Sequence, residues 1–223
     1  MLRPFSLTGR HVRLEPLSTE HVPGLAAAAA EDRSSYAFTR VPDGLVEAAE
    51  YVRAALTEQA GGQVLPFAVV RSSDDVVVGS TRFLDLEVLG RPGVILPSDA
   101  VPPDGVEIGS TWYAASAQRT AVNTEVKLLL LAHAFEVWQA LRVTLKTDAR
   151  NRRSRAAIER LGARSEGIRR AHTTASDGTV RDSAYYSILA AEWPTVRDGL
   201  RRRLAAAGRA PGPVTVPTNR RSH

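Results

Sequence analysis

Cysteine is absent from the 223 residues, which excludes a disulfide framework, a thiolate metal site and an acyl-enzyme on a protein thiol. Long hydrophobic runs are absent too. No stretch reaches the roughly 18 uncharged apolar residues of a membrane span, and the N-terminus lacks the charged-then-apolar layout of a signal peptide. A cytoplasmic location without membrane contact is therefore expected. The five histidines, His11, His21, His133, His172 and His223, show neither i,i+4 spacing nor acidic neighbours, so no metal is expected. His133 lies in an apolar helical stretch and reads as a core or surface residue. Acid is missing from residues 201–223, which hold Arg201, Arg202, Arg203, Arg209, Arg220 and Arg221. Setting those six aside turns the formal net charge of +5 into −1. The basicity is thus largely that of a tail. With no aromatic residues interleaved among the basic ones, a nucleic-acid partner is disfavoured.

What remains is 43% hydrophobic, enough for a normal core. One domain over residues 1–204 and a disordered basic tail over 205–223 are expected. Val12 and Leu14 alternate with Arg13 and Glu15 in a first strand ending at Pro16. Ser18 or Thr19 caps a helix that continues through the alanines at 26–30, and a second helix spans about 45–59 until Gly61 and Gly62 stop it. Strands at 67–70 and 76–86 form a hairpin turning at 72–75. Residues 87–105, with four prolines and three glycines, read as a substrate-side loop or a disordered one. After the central segment come a strand at 142–147, a helix ending at Leu161 with Gly162 as its stop, a hairpin of 168–174 with 180–189, and a helix over 193–204. Hairpins at both ends and alternating strands and helices between them predict an α/β fold, a single domain with a mixed, mostly antiparallel central sheet and helices on both faces.

The central segment, residues 106–136, joins a strand, a tight loop and an apolar helix without a linker. Val106, Ile108 and Trp112 stand at even positions and Glu107, Thr111 and Tyr113 at odd ones, so a period of two assigns each set its own face. Asn123 or Thr124 is a good N-cap, Glu125 favours the first turn, and a helix from near Asn123 is predicted. Its open amides and positive dipole end would point into residues 118–124, an arrangement that holds phosphate. A second basic group, Arg142, Lys146 and eight arginines from Arg150 to Arg170, either faces such a polyphosphate or lines a solvated helix.

The stretch QRTAVN resembles motif A of the GNAT superfamily of acyl-CoA-dependent N-acyltransferases, Gln/Arg-x-x-Gly-x-Gly/Ala, with Gln118 first and Ala121 and Asn123 where that pattern has glycine. The segments LKTDARNRRSRAAIERLGARSEG and RDSAYYSIL are similar to the branch holding the RimJ- and RimL-type ribosomal-protein N-terminal acetyltransferases, over roughly residues 7–195. Membership implies acetyl-CoA as donor, its pyrophosphate on Gln118, Arg119, Thr120, Ala121, Val122, Asn123 and Thr124, and pantetheine beside Trp112 and Tyr113. It places Glu107 where a strand glutamate removes the amine's proton, Ser154 where a hydroxyl meets the departing thiolate, and Asn151 near the pantetheine amides. On the residues alone, Glu107 can equally pair with an arginine, and Ser154 and Asn151 can simply cap a helix.

On the closing strand Tyr186 shares a face with Val180, Asp182, Ala184 and Ile188 and reads as core, while Tyr185 reads toward an acceptor cleft that Tyr36, Phe38 and Arg40 could also line. The expected activity is transfer of an acetyl group to a primary amine, on a peptide N-terminus or a small molecule. A non-catalytic acyl-CoA binder is the alternative. Monomer and dimer are both compatible with the sequence.

Overall fold

In the computed structural model, which describes residues 2–89 and 101–207, the apolar alternation resolves into one eight-stranded sheet. The strands are β1 (Leu7–Thr8), β2 (Val12–Pro16), β3 (Leu65–Arg71), β4 (Val76–Glu87), β5 (Gly105–Tyr113), β6 (Arg142–Asp148), β7 (Arg164–Thr174) and β8 (Val180–Leu189), arranged β1-β2-β3-β4-β5-β6-β8-β7. Every neighbouring pair is antiparallel except β5 and β6. Those two pair in parallel over only Gly105 with Arg142, Val106 with Val143 and Glu107 with Thr144. Beyond Glu107 and Thr144 the ladder stops while both strands continue, which opens a wedge in mid-sheet with unpaired backbone along its sides.

The period-of-two reading of β5 fails at one residue. Ser80 pairs with Trp112 but Arg82 pairs with Gly109, so β5 spends one residue more than β4 there, and Ser110 takes a φ of 47°. This is a β-bulge, and it reverses the faces beyond it. Val106 and Ile108 share their face with Thr111, whose Oγ1 accepts from Lys127 Nζ at 3.0 Å. Trp112 falls instead on the face of Glu107, packed edge-on against Tyr36 and Tyr51.

Among the described residues five α-helices cover the sheet: α1 (Val22–Ala30), α2 (Gly44–Ala60), α3 (Ala121–Ala132), α4 (Arg152–Leu161) and α5 (Trp193–Ala207). In α2 the buried residues Ala48, Val52 and Ala55 recur at helical spacing, and this stripe sets the helix against the strands. Tyr51 OH reaches Ser80 Oγ and Arg82 pairs with Glu58 at 2.8 Å. On the other face α3 buries Val126, Leu130 and Leu131 completely, each contributing roughly 1.5–3 kcal/mol. One π turn, His133–Val137, extends α3. Glu125 does more than favour a helix start: its buried carboxylate accepts the backbone N–H groups of Arg10, His11 and Val12, fastening the β1–β2 turn to α3. Gly162 ends α4 in the left-handed conformation at φ 102°, the position that favours glycine. The α5 helix runs to Ala207, past the expected end at Leu204. Residues 90–100 of the proline-rich loop and 208–223 of the tail lie outside the described residues.

Candidate functional site

Two helix N-termini meet at the open end of the wedge. After β5 the chain makes one turn at Ala115–Ala117, extends at Gln118, takes a φ of 60° at Arg119 and enters α3. The cap is Thr120, not Asn123: its Oγ1 accepts from Val122 N at 3.2 Å and donates to Ala117 O at 2.7 Å. Ala121 and Asn123 therefore lie inside the first helical turn, where a Cβ causes no backbone strain. The left-handed position is Arg119. With the Val122 amide taken, those of Ala121 and Asn123 remain as open donors at the positive end of the helix, and Thr124 already bonds within it.

Gln118 locks this loop. Its Nε2 donates to Tyr113 O at 3.0 Å and to Ser35 Oγ at 2.9 Å, and its Oε1 accepts from Arg153 Nη2 at 2.6 Å. Arg153 thereby ties the start of α4 to the start of α3. The rest of the Arg142 to Arg170 group does not form one phosphate face. Arg142 pairs with Glu87, Arg150 with Asp148 and Asp177, Arg155 with the Tyr186 hydroxyl, and Arg164 with Glu192.

Asn151 caps α4 through Oδ1, which accepts from Ser154 N at 2.9 Å. That leaves its amide NH2 uncommitted. Ser154 contributes its backbone N–H to the cap, and among the described residues its hydroxyl has no partner. Trp112 puts its indole in the core, so only its backbone borders the wedge. The Tyr113 hydroxyl is buried without a partner among the described residues, and desolvation alone pushes its pKa far up. One orphaned buried hydroxyl, a half-buried free one, open helix amides and a nearby guanidinium suit a long ligand rich in amides and phosphates, the chemistry of coenzyme A.

Glu107 stands where the parallel ladder ends. Its side chain is 3% exposed, and Lys146 Nζ lies 2.8 Å from Oε2. Burial raises its pKa from 4.5 to about 7 against the pull of Lys146, with Asp85 adding to the rise. Lys146 also reaches Asp85 at 3.3 Å. A Cβ built on Gly109 would sit 2.5 Å from Glu107 Oε1 and 2.6 Å from Leu84 Cδ1, so the bare backbone at Gly109 makes room for the carboxylate. On the same face Tyr185 carries Lys146 over its ring, and its hydroxyl meets His172 Nε2 at 3.2 Å while His172 Nδ1 meets Ser183 Oγ at 3.0 Å. Tyr186 is fully buried on the opposite face, as its spacing predicts.

Two loops bridge above. Phe38 lies under the Arg150 guanidinium, Arg150 pairs with Asp177, and Ser176 Oγ donates to Ala37 O at 2.7 Å. Tyr36 is buried and donates to Tyr113 O at 2.9 Å, whereas Arg40 is exposed. His133 is half-buried in an aromatic cluster, stacked on Phe5 at 4.0 Å. Among the described residues no cluster of metal-ligating side chains occurs.

Sequence reading missed Lys146 as the partner of Glu107, Gly109 as its space, and Lys127. The last was legible: Lys127, Leu130, Leu131 and Ala134 recur at helical spacing and are all buried, so the lysine occupies a core stripe.

Residues 11–164 match the acetyltransferase (GNAT) domain model. A structure described as an acetyltransferase from T. thermophilus is 34% identical, with a TM-score of 0.71 over 92% of this chain and 99% of that one. A GCN5-related N-acetyltransferase from Brucella melitensis is 29% identical, with a TM-score of 0.75 over 91% of this chain and 86% of that one. Mycobacterium smegmatis RimJ, solved with CoA-disulfide, is 22% identical at a TM-score of 0.70 over 92% and 96% of the two chains, a likeness of fold. No curated protein matches the sequence. A mixed sheet that opens at its centre, paired helix N-termini at the opening, and a family match across most of the chain lead to one assignment: the protein belongs to the GNAT acetyltransferase family and is an acetyl-CoA-dependent N-acetyltransferase.

Proposed function

We propose that the protein acetylates a primary amine by direct attack in a ternary complex, with Glu107 as the base and the Ser154 hydroxyl as the hydrogen-bond donor to the departing thiolate. The observation that carries this reading is the buried Glu107 carboxylate, raised to about 7 at the foot of the wedge. A base with that pKa takes a proton near neutrality and releases it again. The open amides of Ala121 and Asn123, with Arg153 beside them, hold the pyrophosphate, and Asn151 offers its NH2 to the pantetheine. Acetyl-CoA supplies the activated thioester. Glu107, directly or through water, takes the proton of the bound ammonium, and Lys146 keeps the carboxylate oriented. The Ser154 hydroxyl meets the charge that develops on sulfur.

An α-amine with a pKa of about 7.7–8.0 costs about 1 kcal/mol to deprotonate at pH 7, whereas a lysine near 10.4 costs roughly 4–5 kcal/mol. An α-amine or another weakly basic amine is the favoured acceptor, in keeping with the Rim-type resemblance. A non-catalytic acyl-CoA binder would follow if Ala121 and Asn123, standing where the motif has glycine, strained the phosphate loop, but both have helical backbone. No described helix is long and apolar enough to cross a membrane, and a cytoplasmic setting with acetyl-CoA at hand suits this reading.

The test counts thiol released from acetyl-CoA against N-acetyl product, using peptides with free and with blocked α-amines beside small amines. One thiol per N-acetyl group, and preference for the free α-amine, are expected. Equal turnover of free and blocked peptides would sink the α-amine reading.

A further inference from the structure

Arg181 has no counterpart in the mechanism. It lies on β8, two residues from Ser183 and four from Tyr185, so all three share the face that carries Glu107 and Lys146. The strand β8 keeps a continuous register with β6, and the irregularities of the closing hairpin fall on β7. The residue is only partly exposed. Its Nε is buried without a hydrogen-bond partner, and its guanidinium makes no ion pair among the described residues. The acids nearby are already engaged. Asp148, whose carboxyl feels the Arg181 charge, is held by Arg150 at 2.8 Å. Asp182 points to the other face, where it accepts from Ala171 N. Asp177 accepts from Thr179 and from Arg150.

Other positive groups surround the same floor. His172 sits among Arg169, Lys146 and Arg181, which together with its own burial hold its pKa down. Asp85 opposes them, but it is paired to Lys146. A partly buried guanidinium on the face of Glu107, with a buried donor unmet and the close carboxylates among the described residues committed, forgoes hydrogen bonds that a bound anion would supply. Arginine's fork suits a carboxylate or a phosphate.

We propose that Arg181 binds an anionic group of the acceptor, so that the substrate is a primary amine bearing a carboxylate or phosphate several bonds from its nitrogen. This rests on the acetyl-transfer reading and refines its acceptor. The spacing follows from the strand. Glu107 is level with Thr144 and so with Ser187, six residues or about 20 Å of strand from Arg181. Its carboxylate reaches Lys146, which pairs with Tyr185, and the about 13 Å of strand that remain are shortened by the Arg181 side chain without being closed. An acidic side chain near a peptide's free N-terminus meets the requirement, as does an amine with a short phosphorylated arm. An α-carboxylate on the same carbon as the amine is too close.

The experiment compares acceptors in matched pairs: Ala-Asp-Ala-amide with Ala-Asn-Ala-amide, 4-aminobutyrate with its amide, and O-phosphoethanolamine with ethanolamine. Binding is measured by calorimetry in the presence of coenzyme A, and N-acetyl product is measured separately with acetyl-CoA. The peptide and small-molecule arms distinguish the two sources of the anion. In the wild type the charged member of at least one pair is expected to bind and react roughly 10- to 100-fold better than its neutral partner, the range of a hydrogen-bonded charge. Arg181→Gln should erase that preference through KM and leave the acetyl-CoA melting shift unchanged, while Arg181→Lys should keep part of it. Charged and neutral members treated alike by the wild type would overturn the proposal. So would Arg181→Gln weakening both members equally. Failure of the acetyl-transfer reading looks different: no N-acetyl product from any acceptor, whatever the binding preference.

Discussion

Glu107→Gln keeps the shape of the side chain and removes its titration, and two opposite effects follow from one number. In the wild type the carboxylate must be ionised to accept a proton, so kcat/KM should rise tenfold per pH unit up to about 7 and then level off. The variant should lose that break and about 10²–10⁴-fold in kcat, the usual contribution of a positioned base. Stability should move the other way. An acid whose pKa is raised on folding holds its proton more tightly in the native state, so its stabilising contribution is present at low pH. That contribution is lost as pH climbs from 4.5 through about 7, a difference worth about 3 kcal/mol. Glutamine never loses it. The variant should therefore match the wild type only below about pH 4 and exceed it at pH 8 by up to about 3 kcal/mol in urea unfolding. Lys146, left with Asp85 at 3.3 Å, trims that gain. A hydrazide acceptor, already neutral across this range, keeps the acceptor's own titration out of the rate profile. A break at the same pH in the variant would refute the base assignment, and lower stability at pH 8 would mean that the ion pair outweighs the burial.

Three further substitutions separate chemistry from structure. Gly109→Ala puts a methyl 2.5 Å from Glu107 Oε1 and should lower kcat at least about tenfold through the displaced base, with the acetyl-CoA melting shift retained; unchanged kcat would show that the carboxylate needs no such space. Ser154→Ala leaves the α4 cap intact, because Asn151 binds the Ser154 N–H and not its hydroxyl. Its stability should stay within about 0.5 kcal/mol while kcat falls, and full turnover would remove Ser154 from the mechanism. Lys127 is buried and its pKa is lowered from 10.5 to about 7, so its stabilising contribution is lost as pH falls through that interval. Lys127→Met should stabilise the fold at pH 6 by on the order of 4 kcal/mol, and a destabilised variant would show that the lysine's bond to Thr111 matters more than its burial.

Strands and helices are legible in the sequence because their periods differ. Val12 and Leu14 announce β2, Ala48, Val52 and Ala55 announce the buried stripe of α2, and Gly162 marks the left-handed stop of α4. A bulge carries no such mark. Ser110 is an ordinary residue on an alternating strand, and only the register with β4 reveals that Trp112 faces α1 and α2. The start of α3 escapes the sequence for a related reason: Thr120, Asn123 and Thr124 are all competent caps, and the turn through Arg119 decides among them. Motif spacing singles out Glu107, Asn151 and Ser154 as candidates. It does not find their partners, because Lys146 reaches Glu107 through a parallel pairing whose long crossover hides the contact. The basic group looks like one patch along the chain, but strand alternation and helix rotation send its members to separate partners.

Acetyl transfer requires the seat formed by Gln118, Thr120 and the first turn of α3, and a thermal melt with and without acetyl-CoA tests that seat most directly. At about 100 times Kd a ligand adds roughly 2.7 kcal/mol, which for a domain of this size raises Tm by about 5–10 °C. A rise of that size, reduced by Arg153→Glu, is the predicted result. An unchanged Tm at saturating acetyl-CoA would contradict the seat and the transfer chemistry built on it.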